Sequence, residues 1–289
     1  MNNQRIENHE KYIYQIVFVI CMACCFNFRR LPNISFPCQW PGSPGFAPAA
    51  NIDQQKFVEP SGICYHPLRK TLFVVSDEGE IAEIKVDGTP LFNVKIRGDL
   101  EDITVDPNTG LLYVVVEGSD IILEFNPEKK EVTRRFPIDR EFQGNPNFLQ
   151  KQVNKYDNGI ESLVFIPDPD HPEGGTFYAG NQEDPACIME ILVPIKSSHA
   201  VKTEAEILRV VSFEINCPAA MYYDSKSNRL NVVSDADNLL VEMTLNGKIV
   251  KQYAFSGNDQ EGLCRDEAGF IYIVQDSGGI LKIKDIRKN

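Results

Sequence analysis

The sequence predicts an all-β protein with the architecture of a five-bladed β-propeller, and a repeat carries the prediction. A short apolar strand, a turn, a second strand ending in an acid and a third strand recur five times, most clearly over residues 101–125. When the five copies are aligned, one repeat position is always apolar, and it is occupied by Ile63, Ile103, Leu163, Met221 and Leu263. Successive members of this set are 40, 60, 58 and 42 residues apart. Repeats of about forty residues with several strands are typical of propeller blades.

The other four copies cover residues 61–84, 161–191, 219–243 and 261–283. A single sheet of this kind cannot bury both of its faces, so we expect the blades to stack around a central axis. The third copy is long enough to hide a sixth blade, but five are favoured because five are visible. The fifth copy ends after its third strand. We therefore expect its outer strand to come from residues 46–57, which would close the ring and remove an open sheet edge.

Composition and charge limit the kinds of partner. Hydrophobic residues make up 43% and charged residues 24% of the 289 residues, which is typical of a globular protein rather than a disordered one. There are 29 basic and 41 acidic residues, giving a net charge of −12. This balance argues against a nucleic-acid partner and against lying flat on anionic lipid, because both need a basic surface. Cations are the natural partners of such a field.

The N-terminal region predicts a membrane anchor or signal segment over residues 1–30 and a Pro/Gly-rich linker over 31–51, with the propeller over 52–289. The apolar run 12–28 ends at Arg29 and Arg30. Its length is at the short end for a membrane span and the long end for a signal-peptide core. An uncleaved anchor, a cleaved signal and a lipoprotein signal acylated at Cys24 or Cys25 remain open. We favour the anchor.

The cysteines favour free thiols over a zinc site. Four of the eight lie in the N-terminal region and four in the repeats, without paired C-x-x-C motifs. Cys64 and Cys264 occupy the same repeat position in blades that become neighbours when the ring closes. We predict that both are buried as free thiols, because inner strands of different blades are usually too far apart for a disulfide.

One repeat position predicts a metal site. Glu101, Glu161 and Glu261 stand directly before the first-strand apolar pair, where the other two copies have Ser61 and Ala219. If the first strands line the axis, three carboxylates converge, which is costly unless a cation neutralises them or their pKa values rise. Such oxygen ligands suit Ca²⁺. The predicted ligands are Glu101, Glu161, Glu261, Asp259 and Asn158, with Asp99 and Asn258 as further oxygen donors nearby. The alternative is that each glutamate caps a turn or pairs with a basic neighbour.

A second acidic position follows the second strands, at Asp77, Glu117, Asp235 and Asp276, with Asn181 or Glu183 in the third copy. We interpret these as turn residues that accept backbone N–H bonds; the alternative is that one or two of them reach a ligand. The four histidines do not suggest a catalytic triad, and no catalytic residue is assigned. Residues 140–157 are expected to form a loop over one face, and residues 194–208 an insertion with a helical turn.

Several segments together resemble the SdiA-regulated family, bacterial envelope proteins that are distantly similar to NHL-repeat propellers. They include EPSGICYHP, GDLEDITVDPNTGLLYVVVEGSD, NGIESLVFIPDPDHPEGGTFYAGN and DQEGLCRDEAGFIYIVQDSGGI, and the resemblance spans residues 56–284. It implies a five-bladed propeller, an N-terminal membrane segment, an extracytoplasmic location and a bound Ca²⁺, but no known activity. Glu101, Glu161 and Glu261 match by position, whereas Ser61 and Ala219 interrupt the ring of acids.

These observations predict a calcium-binding propeller in the periplasm, held at the cell inner membrane by a single pass or a lipid. We expect it to be a binding or scaffold module for an unidentified small molecule or envelope protein. The alternative is a calcium-dependent hydrolase of the lactonase or phosphoesterase propeller type, which needs an open metal position and a nearby base. A third possibility is a sensor whose partner binds the loop at residues 140–157.

Overall fold

A computed structural model describes residues 50–150, 159–255 and 259–285, and throughout these ranges the regular structure is β-strand. The strands are β1 (Ala50–Asn51), β2 (Pro60–His66), β3 (Thr71–Ser76), β4 (Glu80–Lys85), β5 (Pro90–Lys95), β6 (Leu100–Val105), β7 (Leu112–Val116), β8 (Ile121–Asn126), β9 (Glu131–Pro137), β10 (Ile160–Pro167), β11 (Gly175–Asn181), β12 (Cys187–Leu192), β13 (Glu206–Ser212), β14 (Pro218–Asp224), β15 (Arg229–Ser234), β16 (Leu239–Met243), β17 (Ile249–Ala254), β18 (Gln260–Arg265), β19 (Phe270–Gln275) and β20 (Ile280–Lys284).

The strands form five four-stranded antiparallel sheets, which confirms the five-bladed propeller. Blades one to four are continuous in sequence, in the orders β2-β3-β4-β5, β6-β7-β8-β9, β10-β11-β12-β13 and β14-β15-β16-β17. The long third repeat contributes one blade, so no sixth blade is hidden there. Short turns connect the strands within each blade, as expected from the Asp-Pro and Asp-Gly segments.

Blade five is completed by the other end of the described chain. Its order is β18-β19-β20-β1, and β1 pairs antiparallel with β20 through Ala50 opposite Lys282 and Asn51 opposite Leu281. The N–H of Ile52 extends this ladder by donating to the carbonyl of Ile280 at 2.8 Å. The prediction that residues 46–57 supply the missing outer strand is therefore confirmed, and the ring is closed by hydrogen bonds between distant parts of the chain.

Burial within a blade falls from the inside to the outside. Every residue of β3 and of β7 is buried, as their nearly continuous apolar sequences predict for strands that are covered on both faces. The outer strand β5 instead alternates between exposed and partly buried residues. Such alternation is typical of an edge strand with one face in solvent.

Each pair of neighbouring blades encloses its own apolar cluster, so five clusters hold the ring together. Phe73 and Ile103 belong to the cluster between blades one and two, and Tyr113 and Phe165 to the one between blades two and three. The remaining clusters lie between blades three and four, four and five, and five and one. Burying this apolar surface is the main source of the fold's stability, at roughly 25 cal/mol per Å².

The inner strands approach one another closely near the axis. A Cβ atom on Gly62 would lie 2.6 Å from the Cα of Asp102, so only glycine fits at this position. Side chains also bridge neighbouring inner strands. The buried carboxylate of Asp102 accepts the N–H of Leu163 at 2.8 Å, and the Thr104 hydroxyl accepts the N–H of Phe165 at 3.0 Å. These bonds satisfy backbone donors that face a neighbouring blade rather than a neighbouring strand.

The cysteine prediction holds where it can be examined. Cys64 and Cys264 are both buried and free. They belong to different inter-blade clusters, because Cys64 packs between blades one and two and Cys264 between blades five and one. Residues at this repeat position face the same way around the ring, each towards the next blade, so the two thiols do not face each other.

The predicted insertions are also partly visible. Residues 140–150 form an irregular loop, and residues 151–157 lie outside the described ranges. The expected helical turn is present as a single bond from the N–H of Ser198 to the carbonyl of Pro194 at 3.3 Å. In the described ranges no helix is long and apolar enough to cross a membrane. The predicted anchor (1–30) and most of the linker (31–51) lie outside those ranges.

Replacing Ile52 with proline is expected to loosen the closure of the ring, because it removes the N–H that bonds the buried Ile280 carbonyl. Ile52→Ala is the matched control, since it shortens the side chain but keeps the donor. The proline variant should be less stable than the alanine variant by about 1–3 kcal/mol in urea denaturation. Equal stabilities would show that this end of β1 does not contribute to closure.

Candidate functional site: an acidic mouth and a central cavity

Each blade has a register shift at the same place in its inner strand pair. The shifts fall between Pro60 and Gly62, Leu100 and Asp102, Ile160 and Ser162, Pro218 and Ala220, and Gln260 and Gly262. The skipped residues are Ser61, Glu101, Glu161, Ala219 and Glu261. A bulge of this kind leaves one residue out of the ladder and redirects its side chain. The three glutamates predicted from the repeat alignment are therefore all bulge residues.

A backbone bond recurs beside every bulge. The residue after the second strand donates its N–H to the carbonyl of the residue two positions before the bulge, at 2.9–3.2 Å. The five bonds are Asp77 to Glu59, Glu117 to Asp99, Gln182 to Gly159, Asp235 to Cys217, and Asp276 to Asp259. In three blades the acceptor residue is left-handed, with φ of 47° at Glu59, 42° at Cys217 and 47° at Asp259. Such strain in non-glycine residues persists only where the surrounding structure enforces it.

This bond brings the second acidic position next to the first. The bond holds the acid after the second strand at the bulge end of its own blade, where its carboxylate lies beside a glutamate of the same blade or of the next one. Asp77, Asp99 and Glu101 each present a carboxylate oxygen within 4.8 Å of the others. We call the whole set the acidic mouth; its members are Asp77, Asp99, Glu101, Glu117, Glu161, Asp235, Asp259, Glu261 and Asp276.

Glu101 and Glu161 are the most deeply buried acids of the mouth, with only 8% and 7% of their surface exposed. Burial raises the pKa of Glu101 far above its usual value, and the nearby Glu161 and Asp77 carboxylates raise it further. Without a counter-charge, this glutamate is therefore protonated at neutral pH. Burial and like charge act in the same direction here, as they do wherever carboxylates share a site.

Glu261 occupies the other side of the mouth. Burial raises its pKa to about 8, and the carboxylates of Asp235 and Asp276 add to the effect. Asp77 connects the two sides, because it acts on both Glu101 and Glu261. Its own pKa is raised to about 7 by burial and by Asp99 and Asp276.

The donor set fits a hard divalent cation. Ca²⁺ binds oxygen ligands at about 2.3–2.6 Å, so two ligands of one ion lie up to about 5 Å apart, and the spacing of Asp77, Asp99 and Glu101 falls in that range. Asp77 Oδ1 is buried and has no hydrogen-bond partner among the residues that the structure describes. Asp99 and Asp259 are exposed, so the mouth is accessible from solvent.

The structure thus brings together four of the five residues predicted as ligands. Glu101, Glu161, Glu261 and Asp259 all belong to the acidic mouth, whereas Asn158 and the neighbouring candidate Asn258 lie outside the described residues. Metal binding by these residues stays a prediction. Sequence reasoning underrated the acids after the second strands, which were interpreted mainly as turn residues. Their recurrence was the available signal, but it did not reveal the bulge that places them beside the glutamates.

A central cavity of about 350 Å³ lies further along the same inner strands. Its apolar wall includes Ile63, Ile103, Val164, Phe165, Met221 and Leu263, and its polar part includes Tyr65, Tyr222, Tyr223, Lys226, Arg265 and Glu267. The acids stand at the beginnings of the strands and this polar part at their ends. Glu261 and Arg265 of β18 are four residues apart, or about 13 Å along an extended strand.

Comparison with protein families identifies the chain. A model of the family described as SdiA-regulated matches residues 49–278. The chain belongs to the SdiA-regulated family. This match confirms the resemblance inferred from the repeats and covers all five bulges of the SdiA-regulated propeller. A search of curated proteins found no significant match.

Solved structures confirm the fold at low sequence identity. In all, 1462 chains match. One is the crystal structure of Myxococcus xanthus glutaminyl cyclase, with a TM-score of 0.55 and 10% identity over 83% of this chain and 97% of that one. At this identity the likeness extends to the propeller architecture alone. The activity of the SdiA-regulated propeller has to be argued from its own residues.

The raised pKa values predict how stability depends on pH when a chelator removes divalent cations. Folding raises the pKa of Asp77 from 3.8 to about 7 and that of Glu261 from 4.5 to about 8. At any pH between the unfolded and folded pKa of a group, the folded state holds more protons than the unfolded state. The free energy of unfolding therefore falls as the pH rises through this interval. We expect the urea midpoint to decrease steadily from pH 5 to pH 8.

Asp77→Asn and Glu261→Gln should each flatten this decrease, because each removes one of the titrating groups. Glu206→Gln, which changes an exposed residue of β13, should leave it unchanged. Stability that rises over the same interval would contradict the proposed protonation of the mouth.

Proposed function

We propose that this chain is a membrane-tethered, extracytoplasmic propeller that binds Ca²⁺ at the acidic mouth and acts as a binding or scaffold module. One observation carries the metal part of the proposal. Ser61 and Ala219 occupy the same bulge as Glu101, Glu161 and Glu261. The backbone therefore forms this bulge without an acid, and the three glutamates are not required by the local fold.

The cost of the glutamates supports the same proposal. Burying several carboxylates together opposes folding, because each loses hydration and repels the others. A bound divalent cation would offset both effects. Glu101, Asp77 and Asp99 are the residues best placed to hold it, with Glu161 nearby and with Glu261 and Asp259 on the far side. Since these residues come from different blades, the cation would also stabilise the ring.

Calorimetric titration with Ca²⁺ tests the site. Glu101→Gln should weaken Ca²⁺ binding by at least about tenfold. Changing a residue that only supports a metal ligand already costs about that much, and Glu101 is proposed as a ligand itself. Glu206→Gln is the matched control, because it makes the same chemical change on an exposed outer strand and should bind normally. Calcium at one hundred times its Kd should stabilise the wild type by about 2.7 kcal/mol against unfolding, and a chelator should remove this gain.

Three results would contradict the calcium site. They are no heat of binding at millimolar calcium, no divalent metal in the purified protein, or equal affinity in the Glu101→Gln variant. Glu261→Gln, which changes the far side of the mouth, gives a second and independent measurement should Glu101→Gln fold poorly.

A calcium-dependent hydrolase is the second candidate, favoured by the exposed Asp99 and Asp259, which leave the mouth accessible to a substrate from solvent. The positions of the described histidines favour the binding module, because none of them lies at the acidic mouth to act as a base. His66 is buried at the far end of β2, where its Nε2 lies 3.0 Å from the carbonyl of Gly110. His171 and His199 lie in loops of blade three. A screen with lactones and phosphate esters decides between the two candidate functions. Turnover that a chelator abolishes would show that the protein is an enzyme and not only a binding module.

Membrane tethering rests on the apolar run at residues 12–28, followed by Arg29 and Arg30. A reporter enzyme that is active only outside the cytoplasm, fused after residue 289, should be active and should sediment with membranes. Replacing Phe18 and Val19 with aspartate should abolish sedimentation, because charges are costly in a bilayer. A cytoplasmic, freely soluble fusion would refute the tether.

A further inference from the structure

We infer that the central cavity binds a small amphiphilic carboxylic acid, with its apolar body among the inner-strand side chains and its carboxylate on Arg265. This inference does not depend on the acidic mouth or on a bound cation. It assigns a function to the central cavity, which the calcium proposal leaves unused.

The size and lining of the cavity suit a small organic molecule. Its volume of about 350 Å³ lies within the usual range for ligand sites, about 300–1,000 Å³. The deeper wall is apolar, with Ile63, Ile103, Met221 and Leu263 contributed by four different blades. Such sites generally combine an apolar wall with a few polar groups that fix the orientation of the ligand.

Arg265 is the polar group best placed to select a carboxylate. It ends strand β18, and its side chain is 20% exposed. Its closest acidic contacts are Asp224 at 3.8 Å and Asp285 at 3.9 Å, both beyond hydrogen-bonding distance. Among the described residues its guanidinium therefore keeps N–H donors available. Arginine is well suited to this role, because its planar group binds both oxygens of a carboxylate.

Asp224 and Asp266 both line the cavity, and their carboxylates accept hydrogen bonds from groups of their own turns. Asp224 accepts hydrogen bonds from the N–H of Lys226 at 3.1 Å and from the Ser227 hydroxyl at 2.8 Å. Asp266 accepts them from the N–H of Phe270 and the hydroxyl of Tyr272, both at 2.8 Å. These carboxylates are held by their own turns.

Three acids line the cavity, Asp224, Asp266 and Glu267, and their charges oppose the binding of a carboxylate. Glu267 is the exposed acid of the rim, and it would favour an amine instead. Lys226, also exposed, has the opposite effect. The choice between a carboxylate and an amine is therefore what the experiment has to decide.

Three probes with the same body and different head groups separate these chemistries: 4-phenylbutyrate, 4-phenylbutanol and 4-phenylbutylamine. Each is titrated calorimetrically into the full-length chain held in lipid nanodiscs, so that no detergent competes for the cavity. We expect the acid to bind at least about tenfold more tightly than the alcohol, because a hydrogen bond to a charged group contributes about 1.5–3 kcal/mol. The amine should bind no better than the alcohol.

Variants connect this preference to the cavity. Arg265→Gln should remove the advantage of the acid over the alcohol, whereas Arg265→Lys should keep part of it. Met221→Trp places a larger side chain on the apolar wall and so reduces the volume of the cavity. It should weaken the binding of all three probes. Arg135→Gln changes an exposed arginine of β9 and is the matched control that should bind like the wild type. Binding of the acid that stays at the wild-type level in both cavity variants overturns the inference.

The inference is overturned if the amine binds most tightly, if acid and alcohol bind equally, or if Arg265→Gln keeps the full preference. It is also overturned if the folded wild type binds none of the probes. Should Arg265→Gln unfold, the Arg265→Lys and Met221→Trp variants still decide the outcome.

Discussion

The bulge in each inner strand pair is the constraint on which the rest of the site depends. In a propeller the sheets are arranged radially, so the side chains of an inner strand face the two neighbouring blades. One unpaired residue changes the direction of a side chain at that point. The accompanying bond, such as that from Asp77 to the Glu59 carbonyl, fixes the extra residue in place. Five copies of this geometry create one mouth, and the side chains that fill it then determine its chemistry.

The inter-blade clusters explain how the fold tolerates such a mouth. The buried Glu101 and Glu161, the partly buried Glu261 and their acidic neighbours oppose folding through desolvation and repulsion. They are concentrated at one end of the inner strands, whereas apolar packing continues through every blade interface. Tyr113 and Phe177, for example, pack with ring centroids 4.9 Å apart between blades two and three. Strain and charge at a functional site are commonly balanced by a well-packed scaffold of this kind.

The sequence predicted the features that depend on local patterns. Turn signals and the recurring apolar pair placed five blades, and the missing fourth strand of the last repeat pointed to ring closure by β1. The bulge could not be predicted in this way, because it is a relation between two strands. The proximity of Asp77 to Glu101 depends in addition on how neighbouring blades are rotated. Arg265 gave no signal, since the other repeats have Tyr65, Val105, Phe165 and Tyr223 at its position.

The apolar position that first revealed the repeat also separates the two chemistries of the channel. Ile63, Ile103, Leu163, Met221 and Leu263 follow the bulges by two residues and precede Arg265 and its counterparts by two. All five are at most 4% exposed. We call these five residues the apolar belt; each packs in a different inter-blade cluster, between the level of the acids and the level of Arg265. Four of them, Ile63, Ile103, Met221 and Leu263, also line the central cavity, where the body of an amphiphile would pack.

This arrangement also determines which way such a ligand would lie. Carboxylates at the mouth repel an anionic head group, while the guanidinium of Arg265 attracts it at the opposite end. An amphiphilic acid would therefore enter from the Arg265 end with its apolar body towards the belt and its head group left behind. A cation at the mouth would not contact it directly, because the belt lies between them. The two sites would then communicate only through the five strands they share.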